Sequence, residues 1–109
     1  MVAKTVASRK ARGRNLQNKT AEMLKEYYPQ VIFKPAIMGE TGRDVHAYGN
    51  FPFSIECKNQ EALNIWSAIQ QAEANAGVLV PLLVFKRNRS KIYCTLEFEK
   101  LLELLTGRR

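Results

Sequence analysis

The stretch Asp44-Val-His-Ala-Tyr-Gly-Asn-Phe-Pro-Phe-Ser-Ile-Glu-Cys-Lys58 decides how this chain folds. Its two ends, about residues 44–48 and 53–58, read as short strands because apolar and polar side chains alternate in each. Between them, Gly49-Asn50-Phe51-Pro52 carries the chemistry of a turn. The segment therefore predicts a β-hairpin with one apolar face and one polar face.

A hairpin centred on Asn50 fixes which side chains oppose each other. Val45 then faces Ile55 on the apolar side, and Asp44 faces Glu56 on the polar side. Directly opposed side chains have Cβ atoms roughly 4.5–5.5 Å apart. Two carboxylates at that separation repel each other unless a cation lies between them, and oxygen-rich sites of this kind suit Mg²⁺ or Mn²⁺.

Lys58 adds a basic group to the same face, because it follows Glu56 by two residues along the strand. An Asp, a Glu and a Lys on one sheet face form a minimal set for metal-assisted hydrolysis of a phosphodiester. The alternative is an ordinary solvent-exposed polar face, since a Glu-x-Lys triplet is common by itself.

The remaining periodicities predict a helix-rich frame around this hairpin. The expected order is α-β-β-β-α-β-β-α, an α/β (α+β) chain with a central mixed sheet flanked by helices. In the last helix, Phe98, Leu101, Leu102 and Leu105 are expected to face inward, and Trp66 is expected in the core or in an interface. The predicted helices are 13–28, 59–76 and 96–105, and the further strands are 31–33, 78–85 and 92–95.

The length of 109 residues allows one compact domain. We expect a basic flexible arm over residues 1–12 and a single domain over residues 13–109. The net charge of +7 is concentrated, because residues 1–19 hold six basic side chains and no acid, and residues 86–91 hold four more. Two basic blocks around a mildly acidic body predict a polyanionic partner such as nucleic acid.

Several classes of protein are disfavoured by the same sequence. The longest apolar run, residues 78–85, is too short to cross a bilayer, and no signal peptide is visible. Cys57 and Cys94 suit buried, reduced thiols, so a cytoplasmic protein is expected. The single histidine, His46, excludes a multi-histidine metal cage within one chain.

Across residues 10–105 the pattern resembles the PD-(D/E)xK nuclease superfamily, in particular the Holliday-junction-resolvase-like and VRR-NUC-like small nucleases of phages and archaea. The likeness rests on four segments in order, and it implies a restriction-endonuclease-like fold. They are Lys10-Ala-Arg-Gly-Arg-Asn-Leu-Gln17, Gly42-Arg43-Asp44-Val45, Ile55-Glu56-Cys57-Lys58, and the helix Trp66-Ser-Ala-Ile-Gln-Gln-Ala-Glu-Ala-Asn75.

The resemblance also implies roles for single residues. Asp44 and Glu56 would hold the metal together with the backbone carbonyl of Cys57, and Lys58 would be the catalytic lysine. The helix glutamine of the family would be Gln71, with Gln70 as the alternative.

One position departs from the family. Many members carry an acid on the first helix where this chain has Gln17, and Glu22 is the nearest substitute. The sequence therefore leaves open whether one or two metal ions bind.

The function implied is that of a Mg²⁺-dependent, structure-specific endodeoxyribonuclease, with Mn²⁺ able to substitute. A Holliday junction resolvase that works as a homodimer in DNA recombination, encoded by a phage, is the first expectation. Alternatives are a nuclease for flaps, nicks or ends, a non-catalytic nucleic-acid-binding protein, and an RNA-binding module of ribosomal type. The expected DNA contacts are Lys10, Arg12, Arg14, Arg43, Lys86, Arg87, Arg89 and Lys91.

Overall fold

A computed structural model describes residues 6–37 and 42–107 of the chain. Three helices and five strands follow one another in the predicted order. In chain order they are α1 (Val6–Tyr27), β1 (Ile32–Pro35), β2 (Val45–Tyr48), β3 (Phe53–Asn59), α2 (Ile65–Ala76), β4 (Val80–Lys86), β5 (Tyr93–Thr95) and α3 (Phe98–Thr106).

The strands form one mixed sheet in the order β1-β2-β3-β4-β5. Neighbouring strands are antiparallel except for β3 and β4, which are parallel. A parallel pair needs a crossover connection, and α2 supplies it. The predicted class, an α+β chain with a mixed sheet flanked by helices, is thereby confirmed, and the predicted pairing of Val45 with Ile55 is present.

The two long helices cover opposite faces of β3, because successive side chains of a strand point to opposite faces. Ile55 and Cys57 face α1, where the Cys57 thiol lies 3.7 Å from the Thr20 hydroxyl. Ser54 and Glu56 face α2, where both reach Asn75. The polar face of the predicted hairpin is therefore buried under a helix and not open to solvent.

The core lies between α1 and the sheet. Phe33, Ile55 and Leu16 are almost fully buried there. Tyr28 and Phe51 pack edge-on against Phe33, with ring centroids 6.3 and 4.9 Å away. This packing holds β1 and the β2–β3 turn against the end of α1.

Two helix starts differ from the prediction. α1 begins at Val6, so residues 6–12 of the expected flexible arm are helical, while residues 1–5 lie outside the described residues. These seven residues are rich in Ala, Arg and Lys, which are strong helix formers. α2 begins at Ile65, where Asn64 caps the helix by accepting a hydrogen bond from Ser67 N, so residues 59–64 are not helical.

The apolar residues of α3 do not face inward as expected. None of its residues is buried, and Phe98 and Leu105 are 70% and 73% exposed. Trp66 is also 73% exposed on α2 and so lies outside the core. Helical periodicity shows that one side of a helix is apolar, but it does not show what covers that side.

Candidate active site

The site is built where β2 begins beside β3. Asp44 precedes β2 by one residue, and its backbone N donates to Ile55 O at 2.9 Å. Its carboxylate turns across the neighbouring strand, where Oδ2 accepts from Cys57 N at 2.7 Å. The backbone of β3 therefore orients this carboxylate, and no flexible loop has to place it.

Glu56 lies beside Asp44 on β3 and is only 4% exposed. Its Oε1 accepts a hydrogen bond from Asn75 Nδ2 at 3.3 Å. Its Oε2 forms an ion pair with Lys58 Nζ at 3.7 Å. The structure thus brings together the two acids and the lysine that the sequence singled out.

Burial governs the electrostatics of the two carboxyl groups. Desolvation raises the pKa of Asp44, against the hydrogen bond from Cys57 N, which lowers it. The pKa of Glu56 is also raised, first by burial and then by the negative charge of Asp44. Two acids whose ionised forms are disfavoured gain from a bound cation, because positive charge between them offsets both effects.

Gln17 of α1 completes the surroundings of Asp44. Its Nε2 donates to Asp44 Oδ1 at 2.9 Å, so both oxygens of that carboxylate accept hydrogen bonds. The amide of Gln17 therefore orients the carboxylate without adding negative charge. Glu22 is exposed, and five residues along a helix place it on a different side from Gln17, so the structure does not bring it to the site.

Asn75 is the side chain of α2 that contacts Glu56. Gln71 is exposed one turn earlier on the same side of the helix, and no contact places it on Glu56. The i, i+4 spacing of Gln71 and Asn75 was the only signal in the sequence for Asn75. Whether Asn75 or Gln71 reaches Glu56 depends on how α2 packs on the sheet, and the helical spacing alone does not determine that packing.

Cys57 contributes its backbone and not its thiol. Burial raises the pKa of the thiol to about 12, so it stays protonated at neutral pH. In a strand, the N–H and C=O of one residue point to the same side. Because Cys57 N meets Asp44, its carbonyl also lies on the Asp44 side of β3.

Arg43 has a structural contact that the sequence did not predict. Its Nη2 donates to Ala76 O at 3.1 Å, at the end of α2. A cation at a helix C-terminus is favourable because the last carbonyls carry partial negative charge. The expected phosphate contact of Arg43 stays a prediction, and the contact that the structure gives is with this helix end.

A cleft of about 740 Å³ opens beside Lys58. Arg9, Arg12 and Gly13 of α1 form one wall, and residues 57–61 at the end of β3 form the other. Asn59 Nδ2 donates to Arg12 O at 3.3 Å and joins the two walls. Two arginines of the first basic block, Arg9 and Arg12, therefore lie along the cleft, while Lys10 and Arg14 are exposed on the same helix. The DNA contacts expected of Lys10, Arg12 and Arg14 stay predictions.

The second basic block forms the turn between β4 and β5. Glu61 accepts from Asn88 N, and Gln60 N donates to Lys86 O, so the turn is tied to the segment that follows Lys58. Arg87 and Arg89 are exposed on it, as is Lys91 just beyond. Both basic blocks thus border the segment that leaves the site.

The oxygen donors of the site fit a divalent cation that prefers hard ligands. Asp44, Glu56 and the Cys57 carbonyl supply carboxylate and carbonyl oxygen, which Mg²⁺ and Mn²⁺ favour. Among the described residues, no cluster of three or more His, Cys, Asp or Glu side chains gathers as a metal centre. Any metal here would depend on two carboxylates and a backbone oxygen.

An acid that precedes one strand and a Glu-x-Lys on the next, on a mixed sheet between helices, define the PD-(D/E)xK class of nucleases. A family model described as "Phage putative PDDEXK endonuclease" matches residues 8–108. The chain belongs to this family, whose nucleases generally use divalent metals. No curated protein and no solved structure matches the chain. No helix among residues 6–37 and 42–107 is long and apolar enough to cross a membrane.

Proposed function

We propose that the protein is a Mg²⁺-dependent endonuclease that cuts branched DNA, with the four-way junction as the preferred substrate. The observation that supports this most is the convergence of Asp44, Glu56 and Lys58, with Lys58 lining a cleft that also carries arginines. Membership of a nuclease family supports the reaction class. The choice of metal and of DNA structure is our inference.

In this mechanism the carboxylates of Asp44 and Glu56 would hold the cation, and the Cys57 carbonyl would be a third ligand. When bound, a divalent cation activates water and neutralises charge on a phosphate. Lys58 lies 3.7 Å from Glu56, so its ammonium can orient the attacking water or balance charge on the phosphate in the transition state. Gln17 and Asn75 keep the two carboxylates in position, and Gln71 stays a candidate for a further polar contact.

The surfaces around the site favour DNA as the substrate. Arg12 lines the cleft next to Lys58, and Arg87 and Arg89 extend the positive surface from the β4–β5 turn. Such residues contact phosphates and give affinity without reading sequence. Because a four-way junction has two-fold symmetry, we also propose that two copies act together. Such a pair would suit DNA recombination in the cytoplasm of a phage-infected cell.

The first experiment is cleavage of labelled four-way junction, flap, nicked and linear duplex DNA, with Mg²⁺, with Mn²⁺ and with EDTA. Metal-dependent paired nicks near the junction point, with linear duplex spared, are the expected result. Preferential cutting of flaps, nicks or ends would mean that this DNA structure, and not the four-way junction, is the preferred substrate. Equal cutting in EDTA would contradict the metal-dependent mechanism.

Two variants test the residues in the same assay. Glu56→Gln and Lys58→Met should each lower the cleavage rate by at least about 100-fold while DNA binding is retained. Glu73→Gln on the exposed side of α2 is the matched control for the glutamate, and Lys25→Met at the end of α1 is the control for the lysine. Cleavage by Glu56→Gln at the wild-type rate would overturn the assignment.

A second candidate is a non-catalytic DNA-binding protein on the same fold. The observation that favours it is Gln17, which donates a hydrogen bond to Asp44 where many members of the superfamily carry an acid. Tight binding of the junction with no cutting in either metal would support this reading. Gln17→Glu would then be the first substitution to test for a gain of cleavage.

A further inference from the structure

A second cavity shares Asn59 with the active-site cleft. Its volume is about 610 Å³, and it lies between α1 and the β4–β5 turn. Three lysines line this cavity, which is therefore named the lysine pocket: Lys19, Lys86 and Lys91. Since the side chains of Lys58 and Asn59 point to opposite faces of β3, the lysine pocket lies on the α1 face of the sheet.

The positive charge of the lysine pocket is not balanced by an acid. Among the described residues, no Asp or Glu lines the pocket, and none of its three lysines forms an ion pair. In the active-site cleft, by contrast, Glu61 is part of the wall and Lys58 pairs with Glu56. Ammonium groups around one space repel each other, so the arrangement favours a bound anion.

Apolar side chains strengthen this attraction. Leu16, which is buried, lines the lysine pocket together with Met23 and Ile92. Water screens a charge less when it lies beside an apolar wall of low dielectric constant. A cleft that combines one sign of charge with such walls concentrates ions of the opposite sign.

The β4–β5 turn has internal hydrogen bonds that fix the backbone next to two of the lysines. Ser90 Oγ accepts from Arg87 N at 3.1 Å and donates to Lys91 O at 2.7 Å. Gln60 N donates to Lys86 O at 3.1 Å. The backbone at Lys86 and Lys91 is therefore set before a ligand binds, which reduces the entropic cost of binding.

α1 supplies the opposite wall of the lysine pocket. Asn15 and Lys19 lie one turn apart and so on the same side of the helix. Arg12, which lines the active-site cleft, precedes Lys19 by seven residues, or about 10 Å along the helix. One side of α1 thus borders both cavities, and Asn59 lies at the boundary between them.

We propose that the lysine pocket binds one phosphate group of the nucleic-acid substrate, shared by Lys19, Lys86 and Lys91, with the Asn15 amide as a further donor. Lysine binds phosphate as a point charge, and a compact group of three suits a single phosphate. The inference rests on the proposed function, because the ligand belongs to the DNA substrate. It deepens that function in two ways. Lys19 was not among the expected DNA contacts, and a substrate that fills both cavities must continue past Asn59 onto the α1 face.

A titration with inorganic phosphate, followed by NMR on isotope-labelled protein in EDTA and without DNA, tests the pocket apart from cleavage. The backbone amide signals of Lys19, Ser90 and Lys91 should shift and reach saturation. These shifts should be lost in a triple variant that carries Lys19→Gln, Lys86→Gln and Lys91→Gln. Absence of saturable shifts at these amides, or equal shifts in the triple variant, would overturn the proposal.

The matched control removes the same amount of charge elsewhere, and it should keep the phosphate-induced shifts: Lys25→Gln, Lys34→Gln and Lys100→Gln. The readout also separates this proposal from the proposed function. Phosphate binding in a protein that cuts no DNA would leave the pocket in place and contradict the nuclease. Metal-dependent cutting without phosphate binding at these amides would do the reverse.

The salt dependence of duplex binding, measured by fluorescence anisotropy in EDTA, tests whether the three lysines share one phosphate. Loss of one phosphate contact lowers the slope of log affinity against log salt by about 0.9, whereas three separate contacts would lower it by about 2.7. We expect the smaller change in the triple variant of the lysine pocket. A change of about 2.7, or none, would overturn the shared site.

Duplexes with phosphorylated and unphosphorylated ends distinguish the two sources of the phosphate. Equal affinity for both, together with the slope change of about 0.9, would assign the lysine pocket to an internal phosphate of the DNA backbone. Tighter binding of the phosphorylated end by wild type, which the triple variant lacks, would assign the pocket to a terminal phosphate. The same advantage in the triple variant would show that the end binds elsewhere and would refute a terminal phosphate in the pocket.

Discussion

At the scale of single residues, hydrogen bonds and one ion pair fix the positions of the two carboxylates of the site. Asp44, the only aspartate in the chain, has a hydrogen bond on each oxygen, from Cys57 N and from Gln17. Glu56 has Asn75 on one oxygen and Lys58 on the other. Asp44 is thus held from β3 and α1, and Glu56 from α2 and its own strand. Substitutions at the supporting residues should therefore loosen the site without removing it.

Asn75 is the clearest test of this support. Asn75→Ala removes the donor to Glu56 Oε1, so the carboxylate loses part of its orientation. Because such supporting contacts affect metal affinity by roughly 10- to 100-fold, we expect binding of Mn²⁺ to weaken by about 10-fold. Isothermal titration with Mn²⁺ measures this, and Glu73→Ala on the same helix serves as the control. Unchanged Mn²⁺ affinity would show that Asn75 has no part in holding Glu56.

The raised pKa values of Asp44 and Glu56 predict how pH affects the metal-free fold. An acid whose pKa is higher in the folded state than in the unfolded state stabilises the fold most at low pH. That contribution is fully present below about pH 4, the ordinary pKa of a carboxyl group, and is lost as the pH rises through the raised values.

We therefore expect the free energy of unfolding in EDTA to fall over this rise in pH for wild type, and to fall less for Glu56→Gln. Urea denaturation at a series of pH values measures both. The control is wild type with saturating Mg²⁺, where the decline should shrink because the cation offsets the paired charges. A decline that is equally steep in Glu56→Gln would assign it to other groups.

At the scale of elements, alternation and periodicity in the sequence predicted the order of strands and helices. They did not predict which side chains of one element contact another. The alternation around residues 44–58 correctly predicted β2 and β3, because one residue of slip would expose Val45 and Ile55. The inward side of α3 was predicted wrongly, since a stripe of leucines looks the same whether its own core or another surface covers it. Asn75 was missed for a related reason, because its contact depends on the placement of α2.

The start of α1 yields a prediction at this scale. Gly13 lies inside the helix, and a Cβ built there meets nothing within 4 Å. Gly13→Ala should therefore raise the free energy of unfolding by about 0.5–1 kcal/mol, since glycine is the less favourable residue within a helix. Urea denaturation measures the gain.

The comparison variant for this prediction is Gly42→Ala. Gly42 has a φ of +100°, a conformation that L side chains rarely adopt, so this substitution should destabilise the protein. A loss of stability in Gly13→Ala would mean that residues 6–12 do not continue the helix. That outcome would favour the flexible arm that the sequence alone predicted.

At the scale of the whole molecule, basic charge borders the active-site cleft from two separate elements. α1 places Arg12 on one wall, and the β4–β5 turn is tied through Glu61 to the segment that forms the other. Lys58, which pairs with Glu56, lines this cleft. A DNA strand held by both would be guided over Lys58, and each surface should contribute to affinity in a way that salt reveals.

Two triple variants separate the contributions of these surfaces to DNA binding. One carries Lys10→Gln, Arg12→Gln and Arg14→Gln on α1, and the other carries Lys86→Gln, Arg87→Gln and Arg89→Gln at the β4–β5 turn. Each phosphate contact that is lost lowers the slope of log affinity against log salt by about 0.9 on duplex DNA, so a variant that loses three contacts should lose about 2.7.

Fluorescence anisotropy with labelled duplex over a range of salt gives the slopes, with EDTA present to prevent cutting. Lys25→Gln, at the far end of α1, should leave the slope unchanged. If one triple variant also keeps the wild-type slope, the DNA does not contact the surface changed in that variant. The DNA would then bind along the other basic surface alone.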